Sequence, residues 1–409
     1  MLTKELWGKS PCGKDIHLYT LKNSSGAYVQ VSSIGAGIVS VVVPDRDGNL
    51  ADVVLGYPDP ISYFNDGPCA GKTPGRFAGR IANGRFTIDG IEYSLPVNNG
   101  PNHLHGGPDG FHNKVWESGE CDEEVIFTYC SQDGEMGYPG TLNASIRYKW
   151  LEDNTLQITL EATSDAATIV NLTNHAYFNL NGEGNGDIRN HLLKLHASEY
   201  IPTDPDFIPT GEIAPVDGTP MDFREAKSIG EGMAAEFPDI IYGRGYNTCW
   251  ILESQANERK TASDSCRSEQ QNSHNSGTLE SLQNGRNSET PESLQNGQIR
   301  TAAILSSPSS GRSLTVRTSQ PGLVIYTGGW LSDSPVGKCG RTYNDHEGVA
   351  LECQNIPDAP NHPCFPSAVL RPGEQYLHRI HFSFGVEECD FTDLAFVTVN
   401  RCRKPTVEQ

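Results

Sequence analysis

The feature that most constrains the fold is a strict alternation of apolar and polar side chains over residues 142–150. Its apolar members are Leu142, Ala144, Ile146, Tyr148 and Trp150. Successive side chains of a β-strand point to opposite faces of the sheet, so this period predicts a strand with one buried face. The pair Asp153-Asn154 then turns the chain and the alternation resumes at Leu156. Residues 142–162 therefore predict a β-hairpin.

Two Asp-Gly pairs mark further hairpins. Asp89-Gly90 separates the strand-like residues 86–88 from 91–95, and Asp47-Gly48 separates 39–43 from 51–55. The chain contains 42 Gly and 26 Pro, which is typical of many turns and short elements. Helical periodicity is weak and confined to residues 222–233, without a strand-helix-strand rhythm. The sequence therefore predicts an all-β fold, a large antiparallel β-sandwich.

The charge of the chain argues against two classes of partner. The formal net charge is −20, which repels nucleic-acid backbones and anionic membrane surfaces. No apolar run approaches the roughly 20 residues that span a bilayer, and residues 1–9 lack the apolar core of a secretory signal. We expect no nucleic-acid and no membrane partner, and a soluble cytoplasmic protein. The eleven cysteines form no CxxC pair, so we also expect free, mostly buried thiols.

One polar segment interrupts the strand pattern. Residues 254–298 are dominated by Ser, Asn, Gln, Glu and Gly, and they repeat Glu-Ser-Leu-Gln-Asn-Gly at 280–285 and 292–297. Such a segment buries too little apolar surface to offset its ordering entropy, which predicts a disordered insertion. Strand-like runs at 249–252 and 301–305 flank it, so we place it at a hairpin tip. The predicted organisation is one β-sandwich domain over 1–385 and a C-terminal extension, 386–409, of unknown role.

Polar, glycine and aromatic residues cluster where predicted strands meet turns. The clusters read Gly-Arg-Phe-Ala-Gly-Arg-Ile at 75–81, Asn-His-Leu-His-Gly-Gly at 102–107, Thr-Asn-His-Ala-Tyr-Phe-Asn-Leu at 173–180 and Leu-Glu-Cys-Gln-Asn at 351–355. Three further stretches are Ile-Pro-Thr-Gly-Glu-Ile at 208–213, Gly-Tyr-Asn at 245–247 and Pro-Gly-Leu-Val-Ile-Tyr-Thr-Gly-Gly at 321–329. Each cluster alone is weak evidence for any function.

In this order along the chain, the clusters resemble the motifs of the aldose 1-epimerases, the galactose mutarotase family. The resemblance covers about residues 5–385, apart from the polar insertion. It implies a galactose mutarotase-like supersandwich and a single catalytic domain. It also implies an isomerase of hexose metabolism that interconverts the α and β anomers of a free hexose such as galactose or glucose, with no cofactor and no metal.

The resemblance also implies roles for individual residues. Glu352 matches the general base on the anomeric hydroxyl, and His175 matches the general acid on the ring oxygen. His105 matches a second histidine near the ring oxygen, and Arg80 matches an arginine that orients sugar hydroxyls. An acid and a base suit this chemistry, because opening the hemiacetal deprotonates the C1 hydroxyl and protonates the ring oxygen. A histidine with an unperturbed pKa of about 6.5 is an acid available near neutrality.

Several positions depart from the family pattern. Gly79 stands where the family has Asn, and Asn247 stands where it has an Asp that receives distal sugar hydroxyls. We expect both residues to contact the substrate, with Asn247 offering a neutral amide instead of a carboxylate. Val324 falls where some relatives carry Gln. These changes bear on which aldose is preferred.

Some conspicuous residues have simpler interpretations. We expect His103 to be structural, although it lies two residues before His105 and could share a metal with it. We expect Arg76 to pair with a surface acid more readily than to reach the site. The aromatic residues near the motifs are expected to fill the core, although they could stack on a sugar face: Tyr177, Phe178, Tyr326 and Trp330.

Three alternative functions remain open at this point. The first is a carbohydrate-binding or regulatory protein on the same fold that has lost turnover, a possibility raised by Gly79 and Asn247. The second is a phosphohexose 1-epimerase, which requires additional Arg or Lys for the phosphate. The third is a metal-dependent hydrolase built on His103, His105 and His175. The expected partner is a small-molecule aldose, and the sequence leaves a monomer or a homodimer open.

Overall fold

A computed structural model describes residues 1–253 and 298–386, and within these ranges the chain is built almost entirely of strands. The strands are β1 (Leu2–Lys9), β2 (Asp15–Lys22), β3 (Tyr28–Ser32), β4 (Gly37–Pro44), β5 (Leu50–Asp52), β6 (Arg80–Ile81), β7 (Arg85–Ile88), β8 (Ile91–Ser94), β9 (His103–Leu104), β10 (Glu117–Cys121), β11 (Glu124–Ser131), β12 (Leu142–Trp150), β13 (Thr155–Ser164), β14 (Thr168–Ile169), β15 (Tyr177–Phe178), β16 (Leu192–Leu195), β17 (Glu199–Ile201), β18 (Ala214–Pro215), β19 (Lys227–Ser228), β20 (Asn247–Ile251), β21 (Arg300–Ser306), β22 (Arg312–Thr318), β23 (Gly322–Tyr326), β24 (Val349–Gln354), β25 (Val369–Leu370) and β26 (Tyr376–Val386).

The helices of the described residues are short. The α-helices are α1 (Ile229–Met233) and α2 (Pro238–Gly243), and the 3-10 turns are Ser62–Phe64, Ala82–Gly84, Phe111–Asn113, Glu135–Gly137, Leu331–Asp333 and Ala359–Asn361. Only the last part of the weakly helical stretch 222–233 is therefore helical. In front of α1, the strand β19 pairs with β16, so its backbone hydrogen bonds go to a neighbouring strand. Among these residues no helix has the length and apolarity to cross a membrane.

Two large antiparallel sheets form the body of the sandwich. The nine-stranded sheet has the order β10-β11-β12-β13-β26-β22-β21-β16-β19, and the six-stranded sheet has the order β15-β24-β23-β20-β17-β18. A five-stranded sheet, β1 to β5, adjoins them. Phe178 of the six-stranded sheet packs edge to face on Phe382 of the nine-stranded sheet, with ring centroids 5.0 Å apart. The predicted all-β antiparallel sandwich is confirmed.

The three predicted hairpins are present. Strands β12 and β13 pair with Ile146 opposite Leu160, and the inward residues of both strands are buried. Strands β7 and β8 turn at Asp89-Gly90, and β4 and β5 turn at Asp47-Gly48. Asp89 and the two turn glycines have positive φ, the conformation that tight hairpin turns require.

The prediction of a hairpin tip at 254–298 is wrong, because the flanking strands do not pair with each other. Strand β20 lies between β17 and β23 in the six-stranded sheet, whereas β21 lies between β16 and β22 in the nine-stranded sheet. Proximity in sequence suggested that β20 and β21 pair with each other, but each of them pairs with strands from other parts of the chain. The expected disorder of this segment falls on residues 254–297, and the extension continues from residue 387; both lie outside the described residues.

The main hydrophobic core lies on one face of the six-stranded sheet. Leu323, Ile325 and Leu351 point into it and are fully or almost fully buried. The residues between them in sequence, such as Val324 and Glu352, point to the opposite face because side chains alternate along a strand. That opposite face carries the candidate site. The expectation of mostly buried thiols is wrong for the described part of the chain, where five of the eight cysteines are exposed: Cys12, Cys121, Cys130, Cys339 and Cys364.

Candidate active site

A cavity of about 510 Å³ opens on the outer face of the six-stranded sheet. This volume lies in the usual range for small-molecule sites, roughly 300–1,000 Å³. All six residues predicted for the site line it: Gly79, Arg80, His105, His175, Asn247 and Glu352. They come from β6, from the turn after β9, from the segment before β15, and from β20 and β24. The fold thus gathers residues that are far apart in the chain.

Glu352 occupies the middle of β24 and points into the cavity. Its strand pairs on one side with β23, where Val324 stands directly opposite, and on the other side with β15. The residue is 3% exposed. Burial raises the pKa of Glu352 to about 8, and the nearby charge of Arg80 opposes this rise only in part.

His175 faces Glu352 from the neighbouring segment of chain. Tyr177 pairs with Ala350, and the same antiparallel register continued by two residues places His175 opposite Glu352. The backbone of His175 is held on both sides, since its N–H donates to Lys72 O at 2.9 Å and its carbonyl accepts from Gly71 N at 2.9 Å. Its Nε2 lies 3.4 Å from Glu352 Oε1. The acid and base expected from the sequence are therefore direct neighbours.

Burial shifts the pKa values of His175 and Glu352 so that each favours its neutral form. It lowers the pKa of His175 to about 4, and the charge of Lys72 acts in the same direction. The pKa of about 6.5 assumed from the sequence therefore does not apply in the folded protein. Between these two pKa values the pair holds a single proton, on Glu352, while His175 is neutral. Moving that proton to His175 produces the carboxylate base and imidazolium acid without changing the charge of the site.

His105 stands beside His175, with ring centroids 5.3 Å apart in an edge-to-face arrangement. The N–H of Gly79 donates to His105 Nδ1 at 3.2 Å. Because Nδ1 accepts and burial keeps the pKa of His105 well below its ordinary value, the ring is neutral and carries its hydrogen on Nε2. His105 therefore offers an N–H donor to the cavity. Gly79 has a φ of +79°, a left-handed conformation that favours glycine.

Arg80 forms one wall of the cavity. Its Nε donates to Asn99 Oδ1 at 2.9 Å, and its guanidinium lies 4.6 Å from the centre of the Phe207 ring. Burial lowers the pKa of Arg80 to about 10, so the side chain stays charged at neutral pH. The hydrogen bond and the stacked ring hold the guanidinium in place, which prepares it to donate to sugar oxygens.

The aromatic residues divide between the core and the cavity. Phe178 lies in the main core as predicted. Tyr177 also belongs to a buried hydrophobic cluster, and Tyr326 packs against that cluster, as predicted. Both residues and Trp330 line the cavity as well, so packing is not their whole environment. Adjacent strand residues face opposite sides, which separates Tyr177 from Phe178. Trp330 stacks on Tyr326 and meets Phe207 edge to face, with ring centroids 6.1 and 5.8 Å away.

Several lining residues were not among the site residues predicted from the sequence. Asn99, Thr203, Phe207 and Gln354 line the cavity as well. Phe207 has a φ of +62°, in a turn whose conformation the sequence does not announce. Gln354 follows Glu352 by two residues on the same strand, so the period-2 rule could have placed it. The others come from loops that only the tertiary fold brings here.

His103 and Arg76 lie outside the cavity. His103 Nδ1 is 2.7 Å from Pro96 O and its Nε2 is 2.6 Å from the Tyr138 hydroxyl, so its structural role is confirmed. Arg76 is buried and its guanidinium donates to Ser131 Oγ and to three backbone carbonyls. The expected surface ion pair for Arg76 is therefore wrong. Over 1–253 and 298–386, no group of three or more His, Cys, Asp or Glu side chains is arranged to hold a metal ion.

Comparisons with known proteins show which family this chain is similar to. The family model described as aldose 1-epimerase matches residues 17–383. Galactose mutarotase of Rattus norvegicus is 38% identical over 386 residues, covering 94% of this chain and 99% of the relative. Aldose 1-epimerase of Escherichia coli (strain K12) is 35% identical over 381 residues, covering 92% and 98%. The crystal structure of galactose 1-epimerase from Lactobacillus acidophilus NCFM superposes with a TM-score of 0.74 at 27% identity, covering 95% of this chain and 99% of that one.

Proposed function

The chain belongs to the aldose 1-epimerase family, and from this premise we propose that its cavity interconverts the α and β anomers of a free hexose such as galactose or glucose. The observation that carries the proposal is the buried pair of His175 Nε2 and Glu352 Oε1, 3.4 Å apart in a cavity of about 510 Å³. Such a pair is close enough to remove a proton from one oxygen of a sugar and to donate a proton to a neighbouring oxygen of the same sugar. It requires no cofactor.

Ring opening uses the pair in its charge-separated form. The Glu352 carboxylate removes the proton from the C1 hydroxyl while the His175 imidazolium donates a proton to the ring oxygen. The C1–O5 bond breaks, and C1 becomes an aldehyde. The pair is left as a neutral acid and a neutral imidazole, which is the protonation state that burial favours.

Ring closure reverses these roles. Rotation about the C1–C2 bond presents the other face of the aldehyde to the C5 hydroxyl. His175 then removes the proton of that hydroxyl, and Glu352 protonates the carbonyl oxygen as the new bond forms. The proton count of the pair after closure equals that before opening, so each turnover leaves the enzyme unchanged.

The other lining residues hold the sugar. The neutral His105 ring donates through Nε2 near the ring oxygen, and the Arg80 guanidinium donates to ring hydroxyls. Asn247 begins β20 opposite Tyr326 and offers an amide to a distal hydroxyl. Tyr326 and Trp330 provide aromatic surface for the C–H face of the ring. Gly79 contributes backbone only, so its part is to place His105 and to leave room for the substrate.

A phosphorylated hexose is a poorer fit for this cavity. Arg80 is the one Arg or Lys among the described residues that line it, whereas a phosphate is held by several such groups. We therefore propose a free aldose as the substrate. The five exposed cysteines listed above support the proposal of a cytoplasmic location, where thiols stay reduced.

Polarimetry on freshly dissolved α-glucose and α-galactose tests the proposal. We expect the wild type to accelerate anomer equilibration over buffer. Because general acid or base catalysis contributes about 10²- to 10⁴-fold, Glu352→Gln and His175→Asn should each lose about that factor. Glu92→Gln changes an exposed carboxylate of β8 and is the matched control. A wild type no faster than buffer, or a fully active Glu352→Gln, contradicts the proposal.

A further inference from the structure

A straight row of side chains crosses the cavity floor from strand to strand. The register places His175 opposite Glu352, Glu352 opposite Val324, Val324 opposite Cys249, and Cys249 opposite Ile201. All five residues line the cavity. The row is therefore ionisable at one end and apolar from its third member onward, with Glu352 flanked by His175 on one side and Val324 on the other.

This row fixes which sugar carbon lies over Val324. In the proposed function, on which this inference rests, His175 contacts the ring oxygen and Glu352 contacts the C1 hydroxyl. In a pyranose the ring oxygen and C2 are the two ring neighbours of C1, so they lie on opposite sides of it. With the ring oxygen towards His175, C2 points along the row towards β23, and neighbouring strands are about 4.8 Å apart. The substituent on C2 then lies over Val324.

Val324 cannot satisfy a hydroxyl group. Its side chain has neither donor nor acceptor, and it belongs to an apolar cluster with Cys249 and Ile201. The polar side chains on either flank belong to neighbouring rows: Gln354 pairs with Gly322, and Asn247 pairs with Tyr326. Each of these rows is two residues away along the strand, about 6.6 Å, which suits hydroxyls of other carbons.

We propose that the site does not require a hydroxyl at C2, so that 2-deoxyhexoses undergo the same interconversion of anomers. A site that hydrogen-bonds a substrate hydroxyl rejects the analogue without it by about 10⁴- to 10⁵-fold, because buried polar groups are left unpaired. An apolar surface leaves nothing unpaired when the hydroxyl is missing. The apolar half of the row therefore makes 2-deoxyhexoses competent substrates.

Magnetisation exchange between the two anomeric protons, measured by NMR on equilibrated sugar, gives the enzymatic rate for each substrate after subtraction of the buffer rate. Glucose is compared with 2-deoxyglucose, and galactose with 2-deoxygalactose. We expect the kcat/KM of at least one 2-deoxy sugar to lie within about tenfold of its parent. A larger loss for both overturns the inference but leaves the proposed function intact. No acceleration with either parent sugar overturns the proposed function and the inference with it.

Two substitutions locate the effect at Val324. Val324→Thr keeps the shape and adds a hydroxyl, so it should raise the parent-to-deoxy ratio of kcat/KM by about three- to tenfold, the worth of one neutral hydrogen bond. Val324→Ala removes volume without adding polarity and should leave that ratio within about twofold of the wild type. Ile91→Thr makes the corresponding change at an exposed site on β8. If Val324→Thr leaves the ratio unchanged, C2 does not face Val324 and the inference fails.

Discussion

Two buried acid–base pairs lie on adjoining segments of this molecule, and they differ in how well the protein satisfies them. Lys72 Nζ and Asp66 Oδ2 are 3.3 Å apart with both side chains 0% exposed, whereas His175 and Glu352 are 3.4 Å apart with both side chains 4% exposed. The two pairs are joined by the hydrogen bond from His175 N to Lys72 O. The two pairs are therefore nearly equal in the burial of their side chains and in the distance between their charged atoms.

The difference lies in the remaining hydrogen bonds. Lys72 Nζ also donates to Tyr63 O at 2.6 Å. The Asp66 carboxylate accepts from the Tyr57 hydroxyl and from Ala70 N, both at 2.6 Å. The charges of this pair are compensated by fixed protein groups, and both side chains are fully buried, so neither is presented to a substrate. Such a network stabilises one arrangement of the chain.

The Glu352 carboxylate is left without this support. In the described part of the chain, no backbone N–H and no hydroxyl donates to it, so nothing but the charge of Arg80 opposes the rise in its pKa that burial causes. The lone pairs that the fold leaves unused are those that a sugar hydroxyl can use. The reactive pair therefore differs from the Lys72–Asp66 pair in the hydrogen bonds that the protein does not supply to its carboxylate.

Removing one partner of the satisfied pair should have the largest effect on stability. Lys72→Met leaves the Asp66 carboxylate buried without its cation, and we expect the free energy of unfolding to fall by about 3–5 kcal/mol. Urea denaturation measures this change. Lys9→Met breaks an exposed pair with Asp15 and is the matched control, with an expected loss of about 0–1 kcal/mol. Equal losses in the two variants would remove the distinction between a buried network and a surface contact.

Replacing Glu352 by a neutral residue should change the free energy of unfolding in the opposite direction, towards higher stability. The folded state keeps the Glu352 proton up to a pKa of about 8, whereas the unfolded chain releases it near 4.5. Wild-type stability from this residue is therefore lost as pH rises from 4.5 to 8. Glu352→Gln does not titrate, so its stability relative to wild type should improve over that range by about 2–4 kcal/mol. Thermal unfolding at several pH values checks this, and a flat difference between the proteins contradicts it.

The pH dependence of kcat/KM tests the protonation of the His175–Glu352 pair directly. Ring opening needs the form of the pair that carries one proton, which exists between pKa values of about 4 and about 8. We expect kcat/KM, corrected for the buffer reaction, to be bell-shaped with limbs near these values. Beyond each limb the rate should fall about tenfold per pH unit. A plateau that continues well above pH 8 would show that Glu352 is ionised in the free enzyme.

Features that depend on interactions between residues near each other in the chain were predicted from the sequence, and features that depend on distant residues were not. Local patterns predicted the three hairpins, because Asp-Gly turns and the alternation of apolar residues act over a few neighbours. The motif resemblance selected the residues that line the cavity, including both members of the acid–base pair. Its limits appear at Tyr326 and Trp330, whose exposure to the cavity depends on which side of a strand or loop faces the site.

The sequence by itself determined the strands, the antiparallel class and the residue types available for acid–base chemistry, since these follow from short-range periodicity and from the motifs. Only the tertiary structure decided that β20 and β21 belong to different sheets and that Val324 stands opposite Glu352. It also decided that burial raises the pKa of Glu352 and lowers that of His175. The physical reason is that strand partners and desolvation depend on residues distant in the chain, which no local pattern records.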